Sequence, residues 1–323
     1  MHPVEAANYV IPTPAMECWI NGVCAHCQGN APGAITPGRQ RIGKSYAIRY
    51  FVENQFKYLG DSVAVVSMEV APHRSITEKM LFGDLLRSMG YPTTKSDPEA
   101  RRSLFIGRLV EAASRAIHRK VLIIIDEAQL LDSFTLRLLA SVHNDLVRIY
   151  KVTCMWLLVG QDELSILRQT VLAEGQRQLV ARFMRETIEL GRLQAGAEFR
   201  YCVSCYDKMR YPAKDGPTFS EYFAPEACKA GYQIGSDADL ILETLQTEAH
   251  QHGIASMDAI SMEAFTAVMN DILVNQLPRL DVGDRLDLGM ILESAEAVAW
   301  LSLEEDAFLA DVEAVDGTNK NAA

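Results

Sequence analysis

An eight-residue segment from Gly38 to Ser45 has the spacing G-x-x-x-x-G-K-S. It follows a short β-branched run, Ala34–Thr36, and precedes an amphipathic pattern from Lys44 to Tyr58. A phosphate-binding loop requires this context, since backbone N–H groups of the loop and of the helix N-terminus surround the phosphates. We therefore predict a P-loop; the alternative is a chance glycine turn without a ligand.

The loop residues have distinct predicted roles. Lys44 is expected to reach the β- and γ-phosphates of ATP, and Ser45 to supply one oxygen to Mg²⁺. The two glycines allow the close backbone approach that a side chain would block. The predicted nucleotide-binding residues are Gly38, Arg39, Gln40, Arg41, Ile42, Gly43, Lys44, Ser45 and Tyr46.

Two further strand ends carry polar side chains. The apolar run Val121–Ile125 ends in Asp126 and Glu127, and such unbroken runs are typical of buried parallel strands. Asp126 is expected to hold Mg²⁺ through water, and Glu127 to orient and deprotonate the attacking water. Gln161 follows the run Thr153–Val159, and we predict that it senses the γ-phosphate; an ordinary strand-ending turn is the alternative.

Strand and helix patterns alternate through the first part of the chain. Strands are predicted at Ala34–Thr36, Ser62–Val66, Val121–Ile125, Thr153–Val159 and around Glu186–Leu190, with helical patterns at Lys44–Tyr58, Thr77–Met89, Glu99–Ile117 and Ser133–Arg148. This alternation indicates an α/β fold with a parallel sheet flanked by helices. After about Leu193 the strand signals stop, and the apolar spacing predicts a smaller α-helical C-terminal region.

We divide the chain accordingly into four segments. They are an irregular N-terminal leader with one short helix (1–33), an ATPase core (34–195), a helical lid and C-terminal region (196–315) and a disordered tail (316–323).

Composition narrows the class of protein. The 323 residues are 49% hydrophobic and 23% charged, which is typical of a globular protein. No apolar run reaches the roughly 18 to 20 residues of a membrane span, and no Lys or Arg precedes Arg39 as in a signal peptide. We predict a cytoplasmic protein without a membrane partner. The net charge is −11, but residues 235–323 hold 18 acids and 3 bases, which leaves 24 acids and 28 bases in front.

The motifs together resemble those of the AAA+ ATPases that regulate DDE transposons, the TnsC and TniB class, which includes the ATPase of CRISPR-associated transposons. The resemblance covers about residues 30 to 195 and rests on the P-loop, on Asp126 to Gln129, on Val159 to Leu164 and on Val180 to Met184. It implies an ATP-dependent regulator that binds double-stranded DNA as a ring or helical filament, is recruited by a targeting protein and activates a transposase.

The sequence departs from that class in places. The class often has small residues where this loop has Arg39, Gln40 and Arg41, and often another polar residue in place of Gln161. Secretion-type ATPases of the ExeA kind also carry a similar Asp-Glu-Ala-Gln segment after one strand and a similar Val-Gly-Gln segment at the end of another. A nucleotide-gated protein-binding switch without DNA is therefore the alternative function. A kinase or metabolic P-loop enzyme is a third class, but no acceptor-substrate motif is recognisable.

A basic stretch separates the two leading functions. Residues 101–120 contain six Lys and Arg residues against the single acid Glu111. A few bases per subunit suffice for phosphate contacts when many subunits line up. Arg101, Arg102, Arg119 and Lys120 are the predicted DNA contacts. A solvated helix face is the alternative.

The resemblance also implies an arginine finger that acts across a subunit interface. The candidates follow the predicted strand Thr153–Val159, whose end carries Gln161; they are Arg168, Arg177, Arg182 and Arg185. Arg182 is preferred because Arg182-Phe183 matches an Arg-Phe pair of that class, in which the aromatic ring anchors the helix end and the guanidinium projects outward. The alternative is a solvated helix face.

Two cysteine pairs with two-residue spacing raise the possibility of a zinc site. Cys24 and Cys27 could combine with Cys202 and Cys205 if the leader folds against the lid. The favoured alternative is that Cys202 and Cys205 are small apolar residues of a helix, because pairs 175 residues apart do not establish proximity.

Overall fold

The computed structural model describes residues 1–91, 97–254 and 257–304. The predicted disordered tail, 316–323, lies outside these residues. The chain forms two compact units. One, called the core unit here, is Met16–Gln40 with Lys44–Leu190; the other, called the C-terminal unit, is Met1–Ala15 with Arg41–Gly43 and Gly191–Ala323. The predicted segment boundaries are not tested by this division and stay predictions.

The core unit begins with a helix that is longer than the short one predicted for the leader. The leader contains helix α1, Pro14–Gln28, which is 15 residues long. Its buried residues Met16, Trp19, Ile20 and Val23 recur at helical spacing, so one face is apolar. Nε1 of Trp19 donates to Oγ1 of Thr36 at 2.9 Å, which satisfies the indole where it is buried.

A five-stranded parallel sheet forms the centre of the core unit. Its strands are β1 Gly33–Pro37, β2 Ala64–Glu69, β3 Lys120–Asp126, β4 Thr153–Gly160 and β5 Glu186–Thr187. The spatial order is β2-β3-β4-β1-β5, and each neighbouring pair is parallel. Pro37 is paired with Gly160, and Glu69 with Asp126. The carboxyl ends of β1, β3 and β4 therefore meet at one edge of the sheet.

The strand cores are apolar because both faces of the sheet are covered. Val121 to Ile125 are fully buried, as are Met155 to Val159. The helices of this unit after α1 are α2 Lys44–Glu53, α3 Gln55–Leu59, α4 Glu78–Ser88, α5 Pro98–Ser114, α6 Ser133–Arg148, α7 Glu163–Ala173 and α8 Arg177–Phe183. The helix predicted over Lys44–Tyr58 is divided at Asn54, whose side chain donates back to the carbonyl of Tyr50 at 2.8 Å.

Side-chain caps account for the start of two long helices. Asp97 accepts from the backbone N–H of Ala100 at 2.7 Å ahead of α5. Asp132 and Thr135 form a reciprocal capping box at the start of α6. Each satisfies N–H groups that the helix itself leaves unpaired, which is worth about 1 kcal/mol per cap.

The C-terminal unit is mainly helical, with one ladder that the sequence pattern did not predict. Its strands β6 Leu193–Gln194 and β7 Ala259–Ile260 pair antiparallel. Its helices are α9 Ala197–Cys205, α10 Phe219–Phe223, α11 Pro225–Lys229, α12 Ala238–Gln251, α13 Met262–Asp271 and α14 Leu288–Ala297. No helix among the described residues is long and apolar enough to cross a membrane.

The first residues of the chain pack within this C-terminal unit. His2 is fully buried, and its ring centroid lies 4.5 to 4.8 Å from those of four aromatic side chains. The four are Tyr211, Phe219, Tyr222 and Phe223. Burial lowers the pKa of His2, so the neutral ring is favoured in this setting.

Candidate active site

The predicted P-loop connects the end of β1 to the start of α2. Gly38 continues the strand pairing by donating its N–H to the carbonyl of Gly160 at 3.1 Å. Gly43 has a φ of 97°, a left-handed conformation that L side chains rarely adopt. The second glycine of the motif is therefore required by the backbone itself, one residue before α2 begins.

Lys44 is the first residue of α2, and its side chain turns back into the loop. Nζ donates to the carbonyl of Gly38 at 2.5 Å and also to that of Arg39. Burial lowers the pKa of Lys44, and the carboxylates of Asp126, Asp162, Glu127 and Glu163 oppose this effect. The ammonium is thus held at the predicted phosphate position by carbonyls that a phosphate oxygen could replace as its partners.

Ser45 and Asp126 lie together although they come from different elements. Ser45 Oγ donates to Oδ2 of Asp126 at 2.7 Å, and Oδ1 of Asp126 accepts from the N–H of Glu127 at 3.0 Å. Both side chains are reachable from solvent. A hydroxyl and a carboxylate oxygen are ligands that suit Mg²⁺, and these two residues would hold it here.

Glu127 and Gln161 occupy the same edge of the sheet. Glu127 has a left-handed backbone, φ 55°, directly after β3. Gln161 follows β4, and its Oε1 accepts from Nε2 of Gln40 in the P-loop at 2.8 Å. Gln129 contacts both residues: Nε2 donates to Oε2 of Glu127 at 2.6 Å, and Oε1 accepts from the N–H of Gln161 at 3.1 Å. Gln129 has no role predicted from the sequence; an amide two residues after the predicted base was the available signal.

The remaining loop residues differ in their surroundings. Nε of Arg39 lies 4.0 Å from Oδ2 of Asp162, and Nε of Arg41 lies 3.0 Å from Oε2 of Glu263. Ile42 is buried, whereas Tyr46 is 45% exposed with the guanidinium of Arg49 over its ring. Their predicted contacts with a nucleotide stay predictions.

Arg182 does not project freely from its helix. It is half-buried on α8, and Nη1 donates to the carbonyl of Ala140 at 3.3 Å. Burial and, second, the charge of Arg182 lower the pKa of His143 on α6 to about 4. Phe183 is fully buried, with its ring centroid 5.3 Å from that of Trp156. Phe183 thus anchors the end of α8 as expected, whereas the guanidinium of Arg182 donates a hydrogen bond to α6 of the same chain.

The four predicted DNA contacts do not form one cluster. Arg101 and Arg102 lie in the first turns of α5, whereas Arg119 and Lys120 follow its last turn, and a rise of 1.5 Å per residue makes this helix about 25 Å long. Three of the four have partners within the chain. Arg101 donates to the carbonyl of Lys79 (2.9 Å), Arg102 to Asp145 (2.5 Å) and Arg119 to the carbonyl of Tyr150 (3.1 Å).

The four cysteines of the predicted zinc site are buried on two helices. Cys24 and Cys27 are buried on α1, and Cys202 and Cys205 are buried on α9. Burial raises the pKa of all four thiols, that of Cys27 to about 12, which disfavours the thiolate that binds metal. Within residues 1–91, 97–254 and 257–304, no group of three or more His, Cys, Asp or Glu side chains could hold a metal ion.

Comparison with known proteins supports the AAA character of the core. Residues 29–167 match the family model described as an AAA domain. This segment contains the P-loop, the end of β3 and Gln161, and it covers less than half of the chain. No curated protein matches the sequence.

Several solved structures are similar to the chain, one of them described as a Walker-type ATPase. The chain is 12% identical to a Walker-type ATPase of Pyrococcus abyssi, with a TM-score of 0.54 over 96% of this chain and 76% of that one. Lower TM-scores relate it to the ORC2 protein of Aeropyrum pernix in ADPNP–ADP complexes (0.45; 15% identity; 92% and 90% covered) and to domain III of the Thermotoga maritima replication initiation protein DnaA (0.43; 13%; 90% and 94%). The predicted fold class is confirmed: a P-loop AAA+ fold whose parallel sheet is flanked by helices, with a helical C-terminal region.

Proposed function

We propose that this chain is an Mg²⁺-dependent ATPase that hydrolyses ATP to ADP and phosphate. The observation that carries the proposal is the contact between Ser45 and Asp126, which joins the P-loop helix to the end of β3 over 2.7 Å. Lys44 lies at the same loop, and Glu127 and Gln161 lie at the same sheet edge. These are the parts that phosphoryl transfer to water needs.

Each residue has a separate task in the proposed reaction. Lys44 would face the β- and γ-phosphates as a point charge, and Ser45 and Asp126 would hold Mg²⁺, which would supply positive charge beside the phosphate oxygens. Water attacks the γ-phosphorus while the bond to the β–γ bridging oxygen breaks. Glu127 accepts the proton of that water, and Gln161 positions the γ-phosphate without adding charge.

Replacement of the base tests this assignment. Glu127→Gln should bind ATP with native affinity and hydrolyse it at least about a hundredfold more slowly, because the amide keeps the shape but accepts no proton. Phosphate release and the Kd for ATP are measured on the same preparation, with the exposed Glu243→Gln on α12 as a control. Normal turnover by Glu127→Gln would mean that another residue is the base.

The finer proposal is a DNA-bound regulator of transposition. In it the ATPase forms a ring or filament on double-stranded DNA and links a targeting protein to a transposase. The resemblance of the motifs to the TnsC and TniB class supports this role, as does the excess of bases in residues 1–234. Electron microscopy with a nonhydrolysable ATP analogue and duplex DNA tests it; ATP-dependent assemblies on DNA are expected, and isolated monomers without DNA contradict it.

One observation favours the alternative, a nucleotide-gated protein-binding switch. Arg101, Arg102 and Arg119 already donate hydrogen bonds within the chain, so part of their donor capacity is used. The DNA role is supported if the logarithm of the binding constant for duplex DNA falls linearly with the logarithm of the salt concentration. Absence of such binding in the presence of ATP and Mg²⁺ supports the switch.

A further inference from the structure

A continuous set of hydrogen bonds joins three glutamines to the proposed general base. Gln40 donates to Gln161 at 2.8 Å, the N–H of Gln161 donates to Gln129 at 3.1 Å, and Gln129 donates to Glu127 at 2.6 Å. We call these three glutamines the glutamine relay. Gln40 belongs to the P-loop, Gln161 to the end of β4 and Gln129 to the turn after β3, so the relay crosses the whole edge of the site.

The orientation of the Gln129 amide follows from its two partners. A backbone N–H can only donate, so the atom of Gln129 that faces Gln161 must be the carbonyl oxygen. The amide nitrogen therefore faces Glu127 and donates to a carboxylate oxygen, which accepts. The two contacts agree with one amide orientation and exclude the flipped one. The Gln129 amide therefore uses its oxygen as acceptor toward Gln161 and its nitrogen as donor toward Glu127.

Gly160 makes room for this amide. A Cβ at position 160 would lie 2.4 Å from Oε1 of Gln129 and 3.0 Å from its backbone nitrogen. Real Cβ atoms do not approach that closely, so any side chain at 160 would push Gln129 away from Gln161. The backbone of Gly160 is independently held by its carbonyl, which accepts from Gly38. The close packing of the strand end against Gln129 is therefore a specific feature of this site.

Glu127 needs such support because its backbone is unusual. A left-handed φ of 55° is uncommon for a residue other than glycine and persists only where its surroundings hold it. Gln129 donates to Oε2 of the carboxylate, and Oε1 is the second oxygen, which can accept a proton from the attacking water. A neutral amide holds the carboxylate without the strong attraction that a cation would exert.

We infer that Gln129 is a positioning residue for ATP hydrolysis. Its hydrogen bond orients the carboxylate of Glu127 toward the attacking water, and its contact with Gln161 couples that orientation to the P-loop. The inference rests on the proposed ATPase function. Gln129 does not touch the reacting atoms; it acts through Glu127. Its loss should lower kcat while ATP binding is kept, because the phosphate contacts are made by other residues.

The test compares four variants of the full chain. Gln129→Met keeps the length and removes both hydrogen bonds, and kcat is expected to fall about tenfold to hundredfold with the Kd for ATP within about twofold of native. Gly160→Ala should lower kcat in the same direction by displacing an intact Gln129. Gln251→Met, at an exposed glutamine at the end of α12, is the matched control and should leave kcat unchanged.

Gln129→Glu gives a readout that a purely structural role would not move. It places a second carboxylate against Glu127, and two adjacent carboxylates tend to share one proton. At lower pH the shared proton restores a hydrogen bond, so kcat relative to native should rise between about pH 8 and about pH 6. If the kcat of Gln129→Glu divided by the native kcat were independent of pH, positioning through Glu127 would be contradicted.

The outcomes separate this inference from the proposed function. If the native chain hydrolyses ATP and Glu127→Gln does not, but Gln129→Met turns over at the native rate, the positioning role alone is overturned. If Gln129→Met loses ATP affinity and thermal stability in parallel with kcat, Gln129 is structural and the role is also overturned. If the native chain hydrolyses no ATP with or without duplex DNA, the proposed function fails, and the inference with it.

Discussion

The hydroxyl of Ser45 donates to Oδ2 of Asp126 over 2.7 Å, although the two residues are 81 positions apart in the chain. Parallel pairing explains the meeting, because β1 and β3 both pair with β4 and so end at the same edge. The two side chains that would hold Mg²⁺, Ser45 directly and Asp126 through water, are already neighbours. Metal binding then requires the Ser45 hydroxyl hydrogen to rotate away from Asp126.

Replacement of Ser45 should separate metal-dependent from metal-independent nucleotide binding. In Ser45→Ala the ATP affinity measured with a chelator should stay within about twofold of native, whereas the gain in affinity on adding Mg²⁺ should shrink about tenfold. Titrations with and without Mg²⁺ measure both quantities. Ser302→Ala, at an exposed serine of the C-terminal unit, serves as the control. An undiminished effect of Mg²⁺ would exclude Ser45 as a ligand.

Lys44 provides the sharpest test of nucleotide binding itself. Lys44→Ala removes the charge facing the β- and γ-phosphates, so ATP affinity should fall by at least about a hundredfold. It also frees the carbonyls of Gly38 and Arg39, so the melting temperature must be followed alongside the affinity. Lys214→Ala, at an exposed lysine, should change neither. ATP affinity unchanged in Lys44→Ala is incompatible with the P-loop assignment.

Neutralising the basic residues in pairs should locate the DNA-binding surface. Replacement of Arg119 and Lys120 should weaken duplex binding uniformly across sequences and reduce the salt slope by about one for each phosphate-binding side chain that is removed. Arg101 and Arg102 should be replaced together in a second variant. Loss of the ion pair between Arg102 and Asp145 also costs about 1 kcal/mol of folding stability, so this variant must be compared with its own stability measurement. An unchanged salt slope in all four replacements would place the DNA face elsewhere, around Lys79 or Arg74.

The extent of prediction from sequence depended on the kind of interaction. Buried strands such as Val121 to Ile125 show as unbroken apolar runs, and the sheet edge then follows from parallel pairing. The helix α1 was underestimated because nearby prolines suggested irregular structure, although Met16, Trp19 and Ile20 already have helical spacing. The prolines were therefore a poorer guide than the apolar face.

Side-chain partners were beyond sequence patterns. The contacts of Arg182 with Ala140 and of Arg102 with Asp145 span about forty positions and depend on how α5, α6 and α8 pack. No residue period encodes such packing. The relay through Gln129 depends in addition on the absence of a Cβ at Gly160, which only the three-dimensional structure reveals.

His143 should make stability depend on pH. Its folded pKa of about 4 lies below the ordinary 6.5, so at intermediate pH the unfolded chain binds a proton that the folded chain lacks. The free energy of unfolding should therefore fall as the pH drops from about 6.5 to about 4, by no more than about 3 kcal/mol. Urea unfolding of His143→Gln, which can still accept from Trp156, should show a shallower fall; His250→Gln on α12 is the control. A native-like pH slope in His143→Gln would assign the effect to other groups.

Arg182 links this histidine to the proposed catalysis between subunits. An arginine finger in trans contributes about 10³-fold or more to hydrolysis in related NTPases, so Arg182→Ala should keep ATP binding by the isolated subunit and lose most turnover. Loss of its hydrogen bond to Ala140 should cost only about 1 kcal/mol of stability. The pKa of His143 should rise in this variant because a nearby positive charge is removed, and NMR titration of the ring would detect it.

Mixing two inactive variants distinguishes a finger in trans from a structural role on α6. To reach a neighbour, the Arg182 side chain must leave the carbonyl of Ala140 and turn outward during assembly. In a mixed oligomer, a subunit with Arg182→Ala still offers an intact P-loop, and one with Lys44→Ala still offers an intact arginine. Interfaces that combine the two are complete, so part of the ATPase activity should return on mixing. Activity that does not return in oligomers of normal size would place the role of Arg182 within its own subunit, and full activity of Arg182→Ala alone would transfer the finger to Arg177 or Arg185, both exposed.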